Sequence, residues 1–375
     1  MNYDILATKQ RHRILGFTFS LIAALLSLVV AAVYVASAYG GMADPVESAK
    51  WAVLGLGYPI ALGVVTVLLV VWLCLRRWLA AAILTVALVA TWGPLTTFSP
   101  LHIPLGAEEG DNTFKVLTYN VMNFTDNTGT QHSPNRTIRY ILNADADLVF
   151  LQEAAQTSCF DQARHVRDEI DSIKAHYPYY YNGRGDVVLL SKFPILATVD
   201  TIYFQRHQRV IGWDVMARGD TLRAYCCHLE SLQLTESDKN LYRELTNLNN
   251  MSSTDDIKEV RSTIITTLSR AYRARAEQAR QVRELIDGTS HPVILCGDFN
   301  DTPGSFAYRT IVGDDMRDAY AECAFGPTIT YHCNRFYFRI DHILYRGDFD
   351  AVSIERGSTN ASDHYPLLAT FRWRN

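Results

Sequence analysis

Charge is scarce in the first hundred residues. They hold six Lys or Arg (Lys9, Arg11, Arg13, Lys50, Arg76, Arg77) and three acids (Asp4, Asp44, Glu47), and none of these lies between Ile14 and Ala43. A second uncharged run extends from Trp51 to Leu75 and a third from Trp78 to Leu95. About 20 apolar residues suffice for a helix to cross the ~30 Å hydrocarbon layer. Runs with no polar face are unlike the amphipathic surface helices of soluble proteins. They predict three transmembrane helices, at about 14–38, 52–75 and 78–94, the last ended by Pro94. No acid or base sits inside a run, which leaves an ion path unsupported and makes anchoring the simpler role. Lys9, Arg11 and Arg13 precede the first run, and Arg76 and Arg77 separate the second from the third. This distribution places the N-terminus in the cytoplasm and whatever follows residue 96 on the outer face of the cytoplasmic membrane. Ala36-Ser37-Ala38 resembles a signal-peptide cleavage site, but the run before it is long for a signal peptide.

The rest of the chain lacks an excess of positive charge. It carries 29 basic and 36 acidic residues, a net of −7, which argues against a protein that coats long polyanions. It also lacks the Cys/His spacing of a zinc site and any G-x-S-x-G nucleophile setting. Of its six cysteines, Cys226, Cys227 and Cys296 fall in strand-like runs and read as small buried hydrophobes. Cys323 and Cys333 flank a glycine-containing turn and are the candidate disulfide pair; Cys159 has no evident role.

Residues 96–112, TTFSPLHIPLGAEEGDN, contain two prolines and small polar residues and read as a tether. This divides the chain into a membrane anchor (1–95), a linker (96–112) and a second domain (113–375).

That second domain alternates strand-like and helix-like segments. Its strand-like runs end or begin on polar residues. FKVLTYNV brings Asn120, DLVFLQE brings Glu153, TLRAYCCHLES brings His228, and VILCGDFND brings Asp298 and Asn300. RIDHILYR brings Asp341, and SDHYPLLATF is headed by Asp363 and His364. Any one of these is an ordinary turn residue. Their recurrence at strand ends points to one site, because ligands of layered α/β folds gather where strand ends converge. Carboxylates with an amide make an oxygen-rich set suited to Mg2+ or Mn2+, and two histidines add proton transfer and charge stabilisation. Attack of water on phosphorus, assisted by a metal, fits that inventory.

The ordered segments LTYNV (117–121), FLQE (150–153), LLSKFPI (189–195), CHLES (227–231), GDFNDTP (297–303), RIDHIL (339–344) and SDHYP (362–366) closely resemble the endonuclease/exonuclease/phosphatase superfamily, in its membrane-anchored bacterial branch. The resemblance implies a four-layered α/β sandwich, with two packed, mostly antiparallel sheets flanked by helices. It implies that Glu153, with Asn120 beside it and Asp363 nearby, holds the metal, and that Asp298 orients or deprotonates the attacking water. Asn300 is expected to hold a phosphate oxygen and fix Asp298. His364, oriented by Asp341, is expected to stabilise the pentacovalent phosphorus, and His228 to assist the leaving group. Arg339, which opens RIDHIL, is expected to bind substrate.

The departures narrow the substrate. Asn120-Val121-Met122-Asn123-Phe124 lacks the glycine of the abasic-site endonucleases, and Phe338-Arg339-Ile340-Asp341-His342 lacks the tryptophan-cysteine-aspartate-arginine pattern of the inositol phosphatases. A phosphodiester in nucleic acid or in a phospholipid headgroup remains as the expected partner, with the bilayer contacted through residues 14–94 and no protein partner evident. The alternative, a membrane scaffold with a dead catalytic fold, is opposed by the complete residue set. Residues 232–280 read as an insertion. Within it, the helical stretch 269–286 is rich in arginine and is either a solvated face with acidic partners or a contact for phosphate-rich substrate or headgroups.

Overall fold

The computed structural model describes residues 2–103, 110, 112–125, 135–154, 167–181, 183, 186–204, 209–231, 254–333 and 337–374. It divides into two compact units, Met1–Thr96 and Thr97–Asn375.

In the first unit one helix, Asn2–Gly40, contains a 27-residue stretch from Ile14 that is long and apolar enough to cross a membrane. The second apolar run is two helices, Pro45–Leu56 and Tyr58–Cys74, bent by 43° at Gly57. The third is also two, Trp78–Ala90 and Trp92–Phe98, bent by 73°. By length and composition this is one span, or up to three if each bent pair counts as one. The expectation that Pro94 ends the third helix is corrected. Proline has no N–H and clashes with the carbonyl four residues before it, here that of Ala90. The helix therefore breaks at Thr91 and resumes with Pro94 in its first turn. The freed Ala90 carbonyl accepts the Tyr39 hydroxyl at 2.7 Å. Tyr34, Tyr58 and Thr91, one from each apolar run, pack together, with the Thr91 hydroxyl donating to Tyr34 at 2.7 Å. Polar side chains in apolar helices satisfy one another in this way.

The second unit begins earlier than a free tether would allow. The Thr97 carbonyl accepts from the Arg339 guanidinium, Gly326 N–H donates to the Pro100 carbonyl, and His102 N–H donates to the Ala324 carbonyl. Residues 97–103 of the expected linker are thus tied into the larger unit, while residues 104–109 and 111 lie outside the described residues.

Two six-stranded sheets form its centre. The first runs β11 (Phe349–Arg356), β12 (Leu367–Trp373), β1 (Thr113–Asn120), β2 (Leu148–Gln152), β4 (Val188–Ser191), β3 (Tyr179–Tyr180). The second runs β5 (Ile195–Tyr203), β6 (Arg209–Ala217), β7 (Asp220–His228), β8 (Val293–Asp298), β10 (Asp341–Arg346), β9 (Arg317–Asp318). Among the described residues, only β1/β2 and β7/β8 pair in parallel. The sheets share an apolar interior that includes Phe114, Val116, Phe150 and Ala369 from one and Trp213, Ala224, Ile294 and Ile343 from the other. Helices Arg136–Ala144 and Arg167–His176 cover the outer face of the first sheet, and Thr254–Asp287 and Phe306–Val312 that of the second. The four-layered sandwich is as expected. β2 and β8 read as unbroken apolar runs because both of their faces are covered, and every residue in each is buried.

Cys226, Cys227 and Cys296 are buried thiols as expected. Cys323 and Cys333 are not joined to each other, so the candidate disulfide is not formed. Cys159 and residues 232–253 of the insertion lie outside the described residues. The rest of the insertion belongs to the long helix Thr254–Asp287.

Candidate active site

Side chains alternate between the two faces of a strand. Positions that fill the central core therefore also deliver the residues one or two steps further on. Along β1 the inward series passes from Phe114 and Val116 to Thr118 and Asn120; along β7, from Ala224 and Cys226 to His228; along β8, from Ile294 and Cys296 to Asp298. At this end of the sandwich the core becomes polar in steps. Gln152 exchanges hydrogen bonds with Thr118 and donates to the Cys226 sulfur at 3.2 Å. Beyond that layer stand the acids and imidazoles.

Six of the expected residues meet there. Asn120 Nδ2 donates to Glu153 Oε1 at 3.2 Å and to Asp298 Oδ2 at 3.1 Å. Asp298 Oδ2 also lies 3.6 Å from His364 Nε2 and 3.9 Å from His228 Nε2. Each imidazole is backed by a carboxylate: His364 Nδ1 by Asp341 Oδ2 at 2.8 Å and His228 Nδ1 by Asp186 Oδ2 at 2.5 Å. Asp298 is thus flanked by two histidine–aspartate pairs, one reaching it from each sheet's neighbourhood. Asn300 N–H donates to Asp298 Oδ1 at 2.8 Å, and its side-chain amide holds the Leu229 carbonyl at 3.1 Å. It fixes the loop after β8 to the end of β7. Asp363 accepts from Ser362 Oγ, which also donates to the Asn120 carbonyl at 2.8 Å. Asp363 is therefore joined to the cluster through its neighbour.

Local backbone geometry aims these groups. Glu153 (φ 53°) and Asn300 (φ 51°) both adopt the left-handed conformation, costly for non-glycine residues and frequent at functional sites. Gly297 (φ 150°) precedes Asp298; a Cβ there would lie 1.8 Å from the Cys227 carbonyl oxygen, so only glycine lets β7 and β8 close up beside the site.

The electrostatics follow from burial among charges. Burial opposes a charge on His364, but Asp341 and Asp298 outweigh it and hold the imidazolium well above the usual histidine range. Burial likewise opposes charge on His228, and Asp186 outweighs it, raising the pKa to about 9. Burial pushes the Asp298 carboxyl up to about 6, with His364 pulling it down and Asp341 pushing it further up. The arrangement is two proton-bearing imidazoles facing a carboxylate poised near neutrality, which suits general acid–base work.

Among the described residues, Asp298, Asp341 and His364 form a group of ligating type, with one atom of each within 4.8 Å of the others. Asp341 Oδ1 is buried without a hydrogen-bond partner. Glu153 and Asn120 adjoin this group through the Asn120 amide. The donors are mainly oxygens, as a hard dication requires, so the residues fit Mg2+ or Mn2+.

Arg339 corrects its expectation. It is 1% exposed, lies 2.9 Å from Asp318 Oδ2 and over the Tyr320 ring, and donates to the Thr97 carbonyl. Its charge is consumed in the interior. The arginine-rich helix mostly takes the structural alternative. Arg275 is buried against Asp301 and the Glu230 carbonyl, Arg280 lies 3.5 Å from Glu277, and Arg283 pairs with Asp287 and Asp315.

Sequence reasoning missed Asp186. It precedes an apolar strand instead of following one, and β4 runs antiparallel to β2, so the start of β4 lies at the site end. It also missed Arg209, whose Nε is 3.0 Å from Asp186 Oδ1 but off the hydrogen-bonding direction. Thr330 was missed too; its hydroxyl accepts from the Ile340 and Asp341 N–H groups.

No curated protein matches the chain. Three solved structures similar to it are a humanized zebrafish (D. rerio) TDP2 (17% identity, 70% of this chain and 100% of that one, TM-score 0.48), an endonuclease/exonuclease/phosphatase from Beutenbergia cavernae (14%, 70% and 72%, 0.46) and the human Nocturnin catalytic domain (14%, 71% and 96%, 0.45). Residues 18–98 match a domain of unknown function, DUF8431. Residues 117–364, about two thirds of the chain, match the model of the Endonuclease/Exonuclease/phosphatase family, and the chain belongs to this family of phosphoester hydrolases.

Proposed function

We propose that the chain is a phosphodiesterase dependent on Mg2+ or Mn2+, anchored by its N-terminal apolar helices with the catalytic unit on the outer face of a bacterial inner membrane. The observation that carries the chemistry is Asp298, flanked by His228 and His364 and hydrogen-bonded to Asn120.

Asp298 takes a proton from the attacking water as its oxygen bonds to phosphorus. The His364 imidazolium, held by Asp341, faces the charge that develops on the phosphoryl oxygens. His228, held by Asp186, gives its proton to the departing oxygen as the P–O bond breaks. Asn300 keeps Asp298 oriented and contributes a donor toward phosphate. Glu153, Asn120 and Asp363 would hold the metal, which when bound supplies Lewis-acid polarisation of the phosphoryl oxygen.

The test uses the full chain in detergent, with Mn2+ or with EDTA, on bis-p-nitrophenyl phosphate, plasmid DNA and phosphatidylcholine vesicles in parallel. Turnover that EDTA abolishes and Asp298→Ala removes is the expected result, and the preferred substrate separates nuclease from lipid phosphodiesterase. Turnover that persists in EDTA, or in Asp298→Ala, sinks the proposal. Protease accessibility of the catalytic unit in intact spheroplasts tests the orientation; protection there overturns it.

A further inference from the structure

One row of paired residues crosses the second sheet at the level of the site. Tyr203 of β5 pairs with Arg209 of β6, Arg209 with His228 of β7, His228 with Asp298 of β8, and Asp298 with Asp341 of β10. Directly opposed residues on neighbouring strands project from the same face, so the five side chains form a line. Three of them are site residues already described. The other two continue the line outward, because β5 is the edge strand.

Arg209 is buried, with Nε 3.0 Å from Asp186 Oδ1, and its guanidinium lies 5.1 Å from the centre of the Tyr203 ring. Tyr203 is 67% exposed. An aromatic ring thus stands in solvent at the outer end of the row, backed by an arginine that reaches the same carboxylate as His228. Under the proposed function, on which this inference rests, His228 protonates the departing oxygen. The group attached to that oxygen then lies toward Arg209 and Tyr203.

We propose that Tyr203, backed by Arg209, is the platform for the leaving group of a phosphodiester, and that it selects a nucleobase over a quaternary ammonium headgroup. Stacking of a base on an aromatic side chain strengthens binding roughly five- to 150-fold and is tolerant of sequence. A cation gains from a ring by facing its π cloud, but the Arg209 guanidinium already takes that attraction and repels a second positive charge. A planar neutral base meets no such opposition.

The experiment uses the full chain in detergent with Mn2+. Its substrates are thymidylyl-(3′→5′)-thymidine, an analogue lacking the base on the departing nucleoside, and micellar sphingomyelin. The first two release alcohols of similar basicity, so a difference in kcat/KM reports the base. The wild type is expected to prefer the complete dinucleotide about tenfold, the lower part of the stacking range. Tyr203→Ala abolishes that preference by slowing the complete dinucleotide alone, and Tyr203→Trp restores it. Equal effects of Tyr203→Ala on both dinucleotides, or a wild type that favours sphingomyelin and loses that activity in Tyr203→Ala, overturns the platform. Direct calorimetry of dinucleotide binding to Asp298→Ala, with and without Tyr203→Ala, is independent of turnover. The second change is expected to weaken binding about tenfold, and unchanged affinity refutes the platform. EDTA-sensitive hydrolysis of bis-p-nitrophenyl phosphate, measured on the same samples, reads the underlying phosphodiesterase proposal separately.

Discussion

The side-chain amide of Asn120, at the end of the first sheet, donates 3.1 Å to Asp298 Oδ2, at the end of the second. The same nitrogen reaches Glu153, so one amide keeps two carboxylates from repelling each other apart. Asn120→Ala is expected to lower kcat/KM for bis-p-nitrophenyl phosphate by about a hundredfold or more, the usual effect of removing one preorganised donor. Steady-state kinetics on folded protein check it, with circular dichroism to confirm the fold.

Asp186 outweighs the burial of His228 and raises its pKa to about 9. Asp186→Asn removes that charge and lowers the pKa. If His228 must be protonated to release the leaving group, the alkaline limb of the pH–rate profile moves to lower pH. A profile whose alkaline limb does not move separates His228 from the proton transfer.

Burial drives His342 down to about 4, with the Arg339 charge adding to the effect. The unfolded value is roughly 6.5, so between these values the unfolded chain binds the extra proton. The stability from keeping His342 neutral is full above about pH 6.5 and is lost as pH falls toward 4, up to roughly 3 kcal/mol. The drop in Tm of the catalytic unit between pH 7 and pH 5 is expected to be smaller in His342→Asn than in the wild type.

Arg339 and Asp318 are each about fully buried and 2.9 Å apart. Removing one partner of such a pair strands the other charge and costs about 3–5 kcal/mol. Arg339→Ala is therefore expected to lower Tm strongly while kcat/KM per folded molecule stays unchanged. A selective rise in KM would instead restore the substrate-binding role expected from the sequence.

What the sequence disclosed depended on strand direction, except for Asp341, Asp363 and His364, which stand at or before strand starts and were legible through the segments RIDHIL and SDHYP. Asn120, Glu153, His228 and Asp298 stand at or just past strand C-termini, where an apolar run stopping on a polar residue is conspicuous. Asp186 and Arg209 do equivalent duty at strand starts, where an acid or an arginine after a loop looks like ordinary turn chemistry. The two sheets were legible because central strands such as β2 and β8 are apolar throughout. Arg339 misled because a charged residue beside a site looks the same in sequence whether it faces substrate or a buried aspartate. The break at Thr91 was displaced from Pro94 because a proline disturbs the turn before it.

The residues that meet at Asp298 are scattered between positions 120 and 364: β12 must pair with β1 to bring His364 beside Asn120, and the two sheets must pack to bring both to Asp298. A chain synthesised from its N-terminus carries Asn120 and Glu153 long before Asp341 and His364 exist. Until residue 364 has emerged and β12 has closed against β1, the acids have no imidazole facing them from that side. The site at Asp298 is therefore incomplete in any chain that has not yet paired β12 with β1.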